Sequence, residues 1–274
     1  AAHVMSDRIP WRRPLLAIFL SLLSLQVLAE VIDEVVIKGN QKTHDEIIQQ
    51  EMLLRAGDDF SEEKMQETRQ LIRDLGLFQE VKVSQKRVDG RNILLVELKE
   101  KKYDWYILPR LDRNADGDIT LGLNWRANNL GGRNQKARLS LASKKYDAAT
   151  KDQEYRISAR LRYPRIMNTR FSAYAYASGT QVNLDEERNG IVGSYDRRVY
   201  NAGLGFGRWF SKSGVSKGLH MSLGLDFSRY QHDYLSGEPG YYDDARFTSL
   251  LASISYTDVK DFEYSRSGLA TGLR

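Results

Sequence analysis

The sequence has no cysteine. Disulfides and thiolate metal sites are therefore excluded, and the composition suits an exported bacterial protein. His44, His220 and His232 are scattered, without the spacing of metal ligands. Long hydrophobic runs are also missing. The stretch Leu15 to Leu25 offers about eleven apolar positions, where a spanning helix needs roughly twenty. Hydrophobic residues make up 41% of the 274 and charged residues 28%. That balance is too polar for a helical membrane protein and too apolar for a disordered chain.

The formal net charge of +5 conceals a split. Residues 30–102 carry 13 Lys/Arg against 16 Asp/Glu, and residues 103–274 carry 25 against 19. A basic chain invites a nucleic-acid reading. The arginines alternate along strand-like runs instead of forming one patch, so no nucleic-acid partner is expected.

Residues 1–29 read as an address. Arg8, Arg12 and Arg13 form a positive segment, Leu15 to Leu25 the apolar segment, and Val27 and Ala29 the small-residue cleavage site of a signal peptide. An uncleaved anchor is the alternative.

Residues 30–102 read as a small β-α-α-β-β domain. Val31, Val35 and Ile37 suggest a short strand ending at Lys38-Gly39-Asn40. Thr43 with Glu46 three residues on predicts a capping box for a helix over 45–54. Ser61 predicts the N-cap of a second helix, whose inward stripe is Met65, Thr68, Leu71, Ile72 and Leu75, with Gly76 as its stop. Two strands follow, joined by Val88-Asp89-Gly90-Arg91.

From Tyr103 onward the periodicity becomes two. Ile119, Leu121, Leu123 and Trp125 alternate with Thr120, Gly122, Asn124 and Arg126. Seven such runs and a less regular strand from Tyr103 to Asp112 give eight strands, read as about nine to eleven residues each, the length that crosses a bilayer when tilted. Closed barrels are the strand architecture that satisfies its backbone there. A soluble antiparallel sheet also alternates. Aromatics near the run ends, among them Trp105, Trp125, Trp209 and Tyr256, suggest membrane girdles.

Several stretches resemble the BamA/TamA family of outer-membrane proteins. In the small domain these are Ile37-Lys38-Gly39-Asn40, Gly57-Asp58, and Leu75-Gly76-Leu77-Phe78-Gln79-Glu80-Val81, similar to a POTRA domain. Beyond it, Asn124 through Asn134 resembles the first periplasmic turn of such barrels, and Leu161-Arg162-Tyr163-Pro164-Arg165 the strand end before the second. The resemblance implies an α+β POTRA domain followed by an all-β antiparallel transmembrane β-barrel, apparently truncated after about eight strands, since the family closes with about sixteen. Leu269 to Arg274 reads as the start of a ninth strand. An edge-to-edge homodimer is the alternative route to closure.

The expected layout is leader 1–29, POTRA domain 30–102 in the periplasm, and barrel half 103–274 in the outer membrane of a Gram-negative cell. The expected role is assistance in outer-membrane protein assembly, insertion or translocation. The alternative is a pore, anchor or scaffold barrel without assembly activity. Neither carries catalytic, cofactor or metal residues. Expected partners are outer-membrane lipid and extended protein clients. Clients would add as a strand to the exposed edge containing Phe78, Val81, Lys82 and Val83. The resemblance implies that Trp105, Ile107 and Arg110 lie in the seam of the barrel. Arg156, Arg160 and Arg162 share one face, a candidate basic lumen stripe.

Two motifs tempt otherwise. Asp112 to Thr120 follows part of a calcium loop, but Leu123 stands where the bidentate Glu belongs. A tight hairpin at Ala115-Asp116-Gly117 explains it equally. Gly214-Val215-Ser216-Lys217-Gly218 matches a hydrolase elbow, yet it falls between two strands and not between strand and helix.

Overall fold

The computed structural model describes residues 30–273 apart from 148–150, 167–168, 189–190, 211–216, 238–241 and 262–265. The leader and residues Gly214 to Ser216 of the elbow match thus lie outside the described residues.

The small domain is a three-stranded sheet under two helices. Its elements are β1 (Glu34–Lys38), α1 (Asp45–Gln49), α2 (Glu62–Asp74), β2 (Phe78–Val88) and β3 (Arg91–Glu100). The sheet order is β1-β3-β2, with β1 parallel and β2 antiparallel to the central β3. Asp89 and Gly90 both have positive φ, the geometry a two-residue hairpin needs, and they set the β2–β3 register. In α2, Ser61 accepts from the Lys64 amide at 3.4 Å, so the predicted cap forms. The stripe Met65, Thr68, Leu71 and Ile72 is buried, and Met65 and Ile72 join Val81, Val83, Leu94 and Val96 in one core. Burying each large apolar side chain of that core contributes about 1.5–3 kcal/mol.

The capping box at Thr43 does not form. The N-cap is His44, it has no side-chain cap bond, and α1 is five residues long and ends at Gln49, not at 54. Thr43 is buried, and its side chain faces away from the helix, toward the second part of the chain.

That second part is one antiparallel sheet of nine strands in sequence order. They are β4 (Trp105–Arg113), β5 (Ile119–Leu130), β6 (Gln135–Lys145), β7 (Lys151–Tyr163), β8 (Phe171–Arg188), β9 (Ile191–Trp209), β10 (Gly218–Gly237), β11 (Ala245–Asp261) and β12 (Arg266–Leu273). The ninth strand that Leu269 was expected to begin is present as β12. No helix among the described residues is long and apolar enough to cross a membrane.

The period-two reading holds in the lower part of this wall. Ile157, Leu204, Phe206, Leu223 and Leu250 all stand exposed on one face. The opposite face carries Ser, Asn, Gly and Arg. A sheet folded to bury apolar side chains would show the reverse, so this surface is built to face something other than water.

Six of the nine strands run longer than nine to eleven residues. β8 to β11 have 18, 19, 20 and 17 residues. The sequence pattern hid this because the alternation changes phase. In β8 the apolar positions are odd-numbered from Phe171 to Ala177, but even-numbered at Val182 and Leu184, which are buried. In β9 the exposed apolar positions Tyr200, Leu204 and Phe206 are even, whereas buried Tyr195 is odd. Above the switch, Val182, Leu184 and Tyr195 form a small core on the opposite, polar face, with Tyr146 and Tyr242 against it. Trp209 also departs from expectation. It is buried, its indole donates to the Pro164 carbonyl at 3.2 Å and it tilts against His220, so it anchors a turn instead of belonging to a girdle.

Candidate functional site

Three features of the surface can carry function: two of the four sheet edges, β2 and β4, the junction between the two parts, and the basic stretch of the polar face.

β2 pairs with β3 on one side and with no other strand among the described residues. Phe78, Val81 and Val83 on it are buried against the helices, and Lys82 points to solvent. The edge expected from sequence is thus an edge, and its backbone is open to an added strand. Lys82 and Glu80 pair at 2.8 Å along its exposed face. Each shifts the other, Glu80 below and Lys82 above its ordinary value, through their mutual hydrogen bond. Both remain solvated, so this pair contributes little to stability.

β4 is the second edge. It pairs only with β5 in the described sheet, in the register Trp105↔Ala127 to Arg113↔Ile119. Every residue of β4 is exposed. Trp105 and Ile107 share the face of Ala127 and Trp125, and Arg110 sits on the other face, paired with Asp112 at 3.1 Å. The three residues expected in a seam therefore occupy a free sheet edge, on both of its faces. Residues 101–104 alone separate β3 from β4.

The junction was not legible beforehand. Three successive loops at one end of the sheet hold the small domain. In the β5–β6 turn, Asn129 donates to the Thr43 hydroxyl at 3.0 Å, and the His44 amide donates to the Gly132 carbonyl at 3.1 Å. Gly132 has φ +69, and a Cβ there would stand 2.0 Å from the Lys42 carbonyl oxygen. Only glycine permits this approach. In the β7–β8 turn, Arg165 reaches the Gln50 carbonyl at 3.1 Å and the Glu51 carboxylate at 3.3 Å. After β9, Lys217 pairs with Asp74 at the end of α2 at 2.7 Å. Lys42 adds a looser pair to Asp104 at 3.6 Å.

Glu100, the last residue of β3, organises the small-domain side of this junction. Its carboxylate accepts from the amides of Lys42 and Thr43, the latter at 2.7 Å. Burial pushes the Glu100 carboxyl up, but the Thr43 hydroxyl and the amides of Thr43, Lys42 and Gln41 outweigh it and hold it below the ordinary glutamate range. Thr43 thus donates to Glu100 and accepts from Asn129, linking both parts of the chain through one hydroxyl.

The basic stripe lies where expected, on the polar face. Arg156 is bound to Glu154, while Arg160 lies over the Tyr176 ring at 5.9 Å. Tyr176 stacks on Tyr174 and donates to Asp226. The candidate calcium stretch is a closed turn. Asn114 bonds Asp116 and Asp118, and Asp118 is neutralised by Lys144 at 2.7 Å. No group of three or more His, Asp or Glu among the described residues is placed to hold a metal ion.

Comparison with known proteins agrees with this layout. Residues 30–101 match the POTRA family, described as a surface antigen variable number repeat. Over 66 residues the chain is 39% identical to the outer membrane protein assembly factor BamA of Neorickettsia risticii, covering 24% of this chain and 9% of that protein. The whole architecture matches the structure of Haemophilus ducreyi BamA lacking POTRA domains 1–3, with TM-score 0.59 and 12% identity over 89% of this chain and 48% of that one. CdiB from Acinetobacter baumannii gives TM-score 0.56 and 13% identity over 88% and 46%. Residues 30–101 thus form a POTRA domain, and the chain as a whole has the fold of the POTRA-plus-barrel structures of BamA and CdiB. At such identities the structural likeness is one of fold, and the chain spans about half the length of those solved relatives. The POTRA domain is β1 to β3 with its helices, and the nine-stranded sheet is barrel wall.

Proposed function

We propose that the chain is an outer-membrane protein whose POTRA domain lies in the periplasm and which helps other proteins assemble in, insert into or cross that membrane. The exposed apolar face of the wall meets lipid. The observation that carries this reading is the pair of strand edges, β2 and β4, each paired on one side only among the described residues, with β4 following the POTRA sheet after a four-residue connection from β3. Each offers unpaired backbone donors and acceptors in strand geometry, which is the chemistry that captures an extended segment. Phe78, Val81, Lys82 and Val83 belong to the first such edge, and Trp105, Ile107 and Arg110 to the second. BamA, matched over 66 residues, is named as an assembly factor, and this supports the same class of activity.

A scaffold barrel without assembly activity has one observation in its favour. The POTRA domain is pinned by three loops, as a domain that merely orients a barrel would be. Conditional depletion in the native cell separates the two. Loss of unrelated outer-membrane barrels is expected for an assembly factor. Unchanged levels of those barrels would sink the proposal and leave the scaffold.

A further inference from the structure

The polar face of the wall holds an array of cations that the fold alone does not explain. Arg126 of β5 stands directly across from Arg138 of β6, and Arg138 directly across from Arg160 of β7. One step along the strands on the same face, Lys136 stands across from Arg162. Adjacent strands are about 4.8 Å apart, and same-face neighbours along a strand about 6.8 Å. Four guanidinium groups and an ammonium thus share a patch roughly 10 Å by 7 Å. Like charges placed directly opposite destabilise a sheet.

Carboxylates do not relieve the four guanidinium charges. Among the described residues, Arg126, Arg138, Arg160 and Arg162 make no ion pair with a carboxylate. The carboxylates on this face lie further along the strands or, for Asp226 of β10, three strands beyond β7, and are already engaged, Asp226 by the Tyr176 and Ser228 hydroxyls. Asp112 takes Arg110, Glu154 takes Arg156, and Asp118 takes Lys144. The Nε of Arg126 is buried and without a hydrogen-bond partner. Beyond β7 the array stops. The row continues through Tyr176, Gly203 and Asp226. Positive charge is therefore concentrated on β5 to β7.

The neighbouring row on the same face is neutral and polar: Asn124, Ser140, Ser158 and Ser178 in register. A single small anion would engage one or two guanidinium forks and leave the others repelling. An extended polypeptide matches the whole surface better. Its side chains repeat at the 6.8 Å spacing, its carboxylates suit bidentate guanidinium binding, and its backbone can bond the Asn/Ser row.

We infer that the polar face of β5–β7 is a docking surface for an acidic, extended segment of a client protein, held by Arg126, Arg138, Arg160 and Arg162. This rests on the proposed handling of polypeptides, and it names the class of segment handled.

The test uses the full chain folded in detergent micelles and a fluorescein-labelled peptide of alternating Glu and Ser. Saturable binding is expected for that peptide and not for its Gln-Ser counterpart. Arg138→Gln with Arg160→Gln should weaken it about tenfold or more, since each site loses a charge-assisted bond. Arg138→Lys with Arg160→Lys should retain part of it. Arg208→Gln, a change on the lipid face, should leave it intact and controls for folding, as does an unchanged circular dichroism spectrum. Equal binding of both peptides, or no effect of the double Gln variant, would overturn the inference. Displacement by inorganic phosphate at the same concentration as peptide would overturn it too, by making the site one for free anions. Depletion tests the parent reading independently. Loss of other barrels alongside absent peptide binding removes only this inference, whereas binding with harmless depletion removes only the assembly role.

Discussion

Arg165 and Glu51 lie 114 residues apart in the chain and meet at 3.3 Å, with side chains only 10% and 1% exposed. One belongs to a barrel turn and the other to the POTRA domain. A buried pair of this kind is costly to break from one side, because the partner is left charged and desolvated.

Removing Arg165 should therefore loosen the junction by about 3–5 kcal/mol, near the upper range for single substitutions. Arg165→Ala is expected to make the 101–104 connection the first site of limited proteolysis. Replacing both partners, Arg165→Met with Glu51→Leu, should restore much of the protection. Equal proteolysis of wild type and Arg165→Ala would show that the pair does not hold the domain.

Gly132→Val tests the same junction sterically. The side chain would meet the Lys42 carbonyl in a backbone region that valine avoids. Hydrogen exchange at residues 42–44 should accelerate, while exchange in the β2–β3 ladder stays slow. Unchanged exchange at 42–44 would refute the close approach.

The β2 edge can be examined with proline. Successive strand residues point their N–H groups to opposite sides, so one of Val81 and Lys82 donates to β3 and the other to the open edge. Val81→Pro and Lys82→Pro should differ. One destabilises the domain, and the other leaves it folded but weakens capture of extended peptides. Unimpaired capture by the folded variant would argue against strand addition there.

Residues 30–102 alone should fold, and their stability should depend on acid through Glu100. Its carboxyl titrates lower in the folded state than in the unfolded chain. Its stabilising contribution is therefore fully present above the ordinary glutamate range and disappears as pH falls through the lowered folded value. Urea titrations followed by circular dichroism should show this loss in the wild type and a flatter acid limb in Glu100→Gln. Parallel acid limbs would assign the effect to other carboxylates.

Much of the architecture was legible because it rests on local periodicity. The Ser61 cap, the Gly76 stop and the Asp89-Gly90 hairpin each act within a few residues, and each forms. Thr43 shows where such reasoning stops. Its spacing to Glu46 satisfies a helix rule, but its hydroxyl is taken by Glu100 and Asn129, groups distant in sequence. Arg165 was noticed only as part of a family-like Tyr-Pro-Arg motif, and nothing nearby marks Glu51 as its partner. The basic array was seen on one strand, at Arg156, Arg160 and Arg162. Its other members depend on register, which places Arg126 and Arg138 beside Arg160. The outer halves of β8 and β9 escaped because a fixed phase was assumed, and the phase reverses.

That reversal also works as a depth gauge. In the outer membrane proposed here, side chains facing out are apolar only where lipid touches them. The wall then spans about nine residues of β8, from Phe171 to Gly179, or roughly 30 Å along the strand and about 23 Å once tilted. Such a wall is matched to a thin hydrocarbon layer, and in thicker bilayers it would compress the lipid beside it. Reconstitution in lipids of graded acyl length would then favour the short chains, and the remainder of β8 and β9 would stand clear of the headgroups as an outward-facing rim.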